Sequence, residues 1–182
     1  AGVLAAVLRA RRTGKGAYID LSQYECGLTF MAGALHDYLS TGHVRDRCGN
    51  EDPEAVPHGA FPCLDREWVA LSCWSDAEFS TLAHIIDRDE LLTDPMFATN
   101  EARRTNQRPL DDIISAWTQT RSSETVAETL QQAGICAYPV VDMAGLFCDP
   151  QLKARRQWRV RRHSEIGDQA YCFPGFDLME AP

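Results

Sequence analysis

Residues 49–74 read GNEDPEAVPHGAFPCLDREWVALSCW, and no other stretch limits the possible folds as much. Pro53 and Pro57 each fix a backbone angle and remove an amide donor, so 49–59 is expected to run as an extended connector and not as a helix. Beyond it, the apolar runs 61–64 and 68–73 are separated by Asp65, Arg66 and Glu67, a charged spacer of hairpin length. The period then changes. Ser75 followed by Glu78 fits a capping box, and Phe79, Leu82, Ala83 and Ile86 fall on one helical face. Connector, hairpin and helix therefore join into one supersecondary unit of a mixed α/β chain.

Upstream, residues 1–12 place Val3, Leu4, Val7 and Leu8 on one face and end in basic residues before Gly14, as a helix C-terminus should. No capping residue opens this helix, so the chain is expected to be a fragment whose parent continues upstream. Residues 17–21 (AYIDL) are expected to form a short strand, and Ser22 to cap a helix carrying Tyr24, Leu28, Met31, Leu35 and Leu39 as a buried stripe. The TGKG at 13–16 lacks the longer spacing of a phosphate loop and follows a helix, which makes it a helix stop.

The formal charge of −8 disfavours nucleic acid as a partner. No apolar run approaches the roughly 20 residues needed to span a bilayer, and no secretory signal pattern opens the chain, so a cytoplasmic protein with no membrane partner is expected. Seven cysteines (Cys26, Cys48, Cys63, Cys73, Cys136, Cys148 and Cys172) form no CxxC pair. That excludes a zinc ribbon or disulfide scaffold as the organising principle, leaves no metal site to expect, and makes each thiol a packing residue.

In the later half, 94–97 reads as a turn, Thr99 or Asn100 as a helix cap, and 106–109 as a break with Pro109 in a first turn. Leu110, Ile113, Ile114 and Trp117 mark one amphipathic helix, with Trp117 in the core. Val126, Ala127, Leu130 and Ala133 mark another, ended by Gly134. Residues 137–141 are expected to be a strand, and Asp142 to cap a short helix stopping before Asp149 and Pro150. Lys153, Arg155, Arg156, Arg159, Arg161 and Arg162, followed by His163, alternate with Trp158 and Val160 as an amphipathic strand with a solvated face. A closing hairpin over 157–174 with its turn at 166–168 completes the chain.

Four strings, LRARRTGKGAYIDLSQYE, GNEDPEAVPHGAFPCLDREWVALSCWSDAEF, DPMFATNEARRTN and AGICAYPVVDMAGLFCDPQLKAR, resemble in order the later part of a family III CoA-transferase of the CaiB/BaiF group. The resemblance implies a fragment of that fold: the end of a Rossmann-like large domain at 1–43, a linker at 44–56, and a small α/β domain (of α+β type) at 57–182 with a C-terminal return toward the large domain. It implies interlocked homodimers or heteromeric transferases, and an active site between the large domain of one subunit and the small domain of the other.

The resemblance also implies an acyl-CoA:carboxylate CoA-transferase that forms an aspartyl-CoA thioester. CoA and acyl-CoA are substrates, a carboxylic acid is the acceptor, and no covalently bound cofactor is implied. The nucleophilic aspartate of the family precedes the helix ending in TGKG, so no catalytic residue is expected within this chain, and Asp20 is given a structural role. The family's mobile glycine-rich loop falls near 56–60, where only Gly59 is glycine. Gly59 and His58 are the candidate substrate-binding residues, His58 as a donor to a substrate carboxylate or acyl group. Residues 153–162 are a further candidate contact for the phosphates of CoA. An α-methylacyl-CoA racemase of the same fold and a noncatalytic partner-binding subunit remain the alternatives.

Overall fold

The computed structural model describes residues 1–64 and 66–175. Asp65, within the expected hairpin spacer, and 176–182, within the expected C-terminal return, lie outside the described residues. The chain divides into two compact units, Ala1–Arg47 and Cys48–Pro182.

The first unit holds three helices, α1 (Gly2–Thr13), α2 (Gln23–Phe30) and α3 (Ala32–Thr41). Gly14 ends α1 in the left-handed region at φ 69°, a conformation glycine adopts without steric cost. Ser22 Oγ caps α2 by accepting from the Glu25 amide at 3.2 Å. Three expectations fail here. Residues 17–21 do not form a strand, because no other segment among the described residues pairs with them. The apolar stripe is not buried either: Tyr24 and Leu39 are 78% and 81% exposed, and no residue of this unit is buried. A stretch of this size cannot enclose a core of its own. The single expected helix is also broken at Met31, which separates α2 from α3.

The second unit is built on a three-stranded antiparallel sheet in the order β1 (His58–Pro62), β2 (Trp68–Ser72), β3 (Cys136–Val140). Cross-strand partners share a face of a pleated sheet. Phe61 and Val69, like Gly59 and Leu71, therefore face inward. There they meet α4 (Asp76–Ile85), α6 (Gln107–Thr118) and α7 (Ser123–Gln132), which contribute Phe79, Leu82, Leu110, Ile114, Val126 and Leu130. These side chains are at most 2% exposed, and each contributes on the order of 2 kcal/mol by leaving water. Helices cover one face and leave the other open, the arrangement an antiparallel sheet tolerates.

Local chemistry sets the helix ends. Ser75 Oγ accepts from the Glu78 amide at 3.2 Å, and the Glu78 carboxylate accepts from the Trp74 amide at 2.6 Å. Thr99 caps α5 (Asn100–Thr105), and Asp142 caps α8 (Met143–Cys148). Asp149 does not merely end α8. Its carboxylate accepts from the Leu152 amide at 2.7 Å and opens a further helix, α9 (Pro150–Ala154), with Pro150 in its first turn.

The closing hairpin pairs β4 (Trp158–His163) with β5 (Gly167–Cys172). Its turn lies at 164–166, so Gly167 begins β5 instead of forming the turn centre. Trp158 stacks on Phe147 at 4.4 Å between ring centroids. Among the described residues no helix is long and apolar enough to cross a membrane.

Candidate functional site

The open face of the three-stranded sheet carries three cross-strand rows: His58, Ser72 and Cys136; Ala60, Ala70 and Tyr138; Pro62, Trp68 and Val140. A trough of about 680 Å³ lies over the first two rows and extends to Asn50, Gln131 and Gly134.

His58 begins β1 at the rim of this trough. The Asn50 carbonyl can only accept, so His58 Nδ1 donates to it across 2.5 Å and leaves Nε2 for another partner. The imidazole also meets Trp74 edge-on, with ring centroids 6.4 Å apart. Gly59 has a different place. It is part of β1 and lies opposite Leu71, and a Cβ there would meet the Phe61 ring at 3.6 Å, an ordinary contact. Residues 56–60 are thus not a free glycine loop: Val56 and Pro57 are buried, and the Val56 amide donates to the Cys73 carbonyl at 3.0 Å.

The approach to β1 is held by polar contacts. Asp52 accepts from the amides of Glu54 and Ala55, and these bonds hold its carboxyl below the usual range. Arg104 donates to the Asp52 carbonyl at 3.1 Å, and Asn100 to that of Glu54 at 3.3 Å. On the far side of the trough, the Tyr138 hydroxyl donates to Asp149 at 2.8 Å. That bond raises the phenol's pKa. The Asp149 carboxyl is held low, first by the Leu152 amide and then by Tyr138.

Ser72 was not expected to matter. Its hydroxyl oxygen is buried and has no hydrogen-bond partner among the described residues. Neither it nor Ala60, Ala70 and Tyr138 stands out by residue type; only the strand register brings them together.

A second cavity of about 450 Å³ flanks β1 on the side of α6, where Gln107, Asp111 and Ser115 repeat every four residues. Burial, then Asp112 and Glu51, pushes the Asp111 carboxyl up to about 6. Its Oδ1 is buried without a partner among the described residues. An acid whose folded pKa lies above its unfolded value loses stability as pH rises between the two. Asp111→Asn is therefore expected to match the parent below pH ~4 and to be more stable by about 1 kcal/mol at pH 7, after allowance for the solvent screening of a half-exposed group. Urea unfolding at both pH values checks this. Equal or lower stability of the variant at pH 7 would contradict it.

The remaining candidates lie elsewhere. Trp117 packs against the core, with the Arg121 guanidinium 4.5 Å from its ring centroid. Asp20 sits in the unpaired segment before α2. In the basic tail, Arg159 stacks 4.0 Å from the Phe173 ring and Arg155 donates to the Gly175 carbonyl at 3.3 Å. None of the seven cysteines forms a disulfide among the described residues, and only Cys63 and Cys73 are buried; Cys48, Cys136, Cys148 and Cys172 are exposed, so packing does not account for them. Burial, with Glu78 nearby, pushes the Cys73 thiol up to about 12, which keeps it inert. Among the described residues no group of three or more His, Cys, Asp or Glu is placed to hold a metal ion.

The family profile of CoA-transferase family III matches residues 1–179. The chain belongs to that family. It is 34% identical over 155 residues to a succinyl-CoA–D-citramalate CoA-transferase of Chloroflexus aurantiacus, a match covering 85% of this chain and 39% of the relative. It is 32% identical over 168 residues to the beta subunit of a succinyl-CoA–L-malate CoA-transferase of the same organism, covering 92% and 42%. The crystal structure of a CaiB/BaiF family protein from Brucella suis superposes with a TM-score of 0.78 at 28% identity, covering 92% of this chain and 47% of that one. This family III chain thus spans about four-tenths of the length of the curated relatives it matches.

Proposed function

We propose that this chain works as part of a longer cytoplasmic acyl-CoA:carboxylate CoA-transferase, contributing a substrate-facing wall and not the nucleophile. The identity with the D-citramalate enzyme carries this reading. In the proposed cycle, an aspartate carboxylate outside residues 1–182 attacks the thioester carbonyl and expels CoA thiolate, giving a mixed anhydride. The thiolate attacks the aspartyl carbonyl, which releases the donor acid and leaves an aspartyl-CoA thioester. The acceptor carboxylate then attacks that thioester, and the expelled thiolate attacks the new acyl carbonyl, freeing the aspartate and the new acyl-CoA. Each step exchanges one acyl leaving group for another, so a difficult transfer is divided into easier ones.

Within this scheme residues 1–43 are the end of a large Rossmann-like domain, whose remainder would cover the open stripe of Val3, Leu4, Val7 and Leu8, and residues 44–56 are a linker. Residues 57–182 are the small domain, with His58 at the substrate and Gly59 shaping the strand beneath. The assembly is an interlocked homodimer or a heteromer; the beta-subunit relative supports the second arrangement.

Trapping tests the scheme. The longer protein, incubated with each of a panel of acyl-CoA donors and digested, is expected to carry a CoA adduct on one aspartate outside residues 1–182. An adduct on Asp20 or another acid of this chain would contradict it. Exchange of an α-proton of a 2-methylacyl-CoA without any adduct would replace it with the racemase alternative.

A further inference from the structure

The three rows on the open sheet face are unequal. Ala60 and Ala70 stand side by side between a row containing His58 and a row containing Trp68, so two methyl groups make a depression among larger neighbours. No Lys, Arg, Asp or Glu is among the described residues lining the trough above them. An anionic ligand would lose its water there without gaining a counter-charge, whereas an apolar chain gains with every methylene removed from water. A concave apolar surface with a few polar groups at its edge is the usual form of a small-molecule site. Polar groups at the edge can orient such a ligand: His58 Nε2 is left for a partner, and Ser72 Oγ, buried and without a hydrogen-bond partner among the described residues, would reach a carbonyl oxygen in the trough by rotation about its Cα–Cβ bond.

We infer that this trough holds the uncharged acyl chain of an acyl thioester, with Ala60 and Ala70 setting the room available and Ser72 donating to the acyl carbonyl. The assignment rests on the transferase reading. It goes further by giving this face the neutral part of the substrate and not its carboxylate. Ala60 and Ala70 are then specificity-determining residues: side chains larger than methyl shorten the acyl chain that fits.

Cys136, exposed in the trough, reports its occupancy, and the exposed thiols of Cys148 and Cys172 serve as controls. The experiment follows iodoacetamide alkylation of each thiol of the 182-residue chain by peptide mass spectrometry. The probes are ketone analogues of N-acetylcysteamine thioesters, in which a methylene replaces the sulfur so that no thiol is acylated. Their acyl chains have two, four or six carbons.

The six-carbon ketone is expected to slow alkylation of Cys136 at least threefold at saturation and to leave Cys148 and Cys172 unchanged. The half-saturating concentration is expected to fall roughly threefold to tenfold with each two carbons added. Ala70→Phe and Ala60→Leu should each abolish the protection, with the circular dichroism of the parent retained. Ser72→Ala should weaken binding of the ketone but not of the matching probe that lacks the carbonyl. Absence of protection, protection unchanged in both alanine variants, or hexanoate ion protecting as well as the ketone would overturn the assignment. Its failure is separable from failure of the transferase reading. A longer protein that forms the CoA adduct while Cys136 stays unprotected refutes the trough alone, and a longer protein that forms no adduct refutes the reading whatever Cys136 does.

Discussion

Arg103→Ala is expected to lower the unfolding free energy of the Cys48–Pro182 unit by about 3 kcal/mol, a shift in midpoint temperature on the order of 10 °C. Arg103 is only 1% exposed, and three groups depend on it. One guanidinium nitrogen donates to the Phe97 carbonyl at 3.0 Å, a second is paired with Asp76 in the first turn of α4, and the plane lies 4.2 Å from the Phe79 ring centroid. Truncation leaves the Phe97 carbonyl without its buried donor and opens a cavity beside Phe79, and both effects act in the same direction. Asp76 is 75% exposed and can return to water, which holds the loss near the lower end for a broken buried pair. Arg103→Met fills most of the volume without the charge and is expected to recover about half the loss. Urea unfolding of both variants measures this, and a loss below 1 kcal/mol for Arg103→Ala would contradict it.

Much of the second unit is legible in the sequence because its signals are local. Ser75 with Glu78, Thr99 and Asp142 each state where a helix begins, and the apolar runs 61–64 and 68–73 on either side of a charged spacer state a hairpin. Signals that depend on a distant partner mislead. The apolar residues at 17–21 suit a strand, but a strand exists only where another backbone pairs with it. The stripe from Tyr24 to Leu39 has helical period whether or not anything covers it, so periodicity alone cannot say that it is buried. The site divides in the same way. His58 is findable from the chemistry of imidazole and its place after the prolines. Ala60, Ala70 and Tyr138 are unremarkable residues on three strands, and 78 positions separate the first from the last. Their meeting depends on register, which no local pattern encodes for β3.

The other large effect concerns catalysis itself. Covalent transfer between carboxylic acids needs a carboxylate that can take up the acyl group and then the CoA, and removal of a nucleophile from a group acting as a unit costs on the order of 10⁴-fold or more. If residues 1–182 carry only a wall of the site, the chain alone is expected to show no transfer above the uncatalysed rate, even with the trough fully formed. Among the described carboxylates, Asp111 is pushed up to about 6 by burial, and it projects from α6 into the other cavity, away from the trough.

The decisive measurement is formation of new acyl-CoA from a panel of acyl-CoA donors and carboxylic acids, followed by chromatography for the 182-residue chain and for the longer protein proposed to contain it. The prediction is turnover by the longer protein and none by the chain alone. Turnover by the chain alone would place the nucleophile within it and contradict the account.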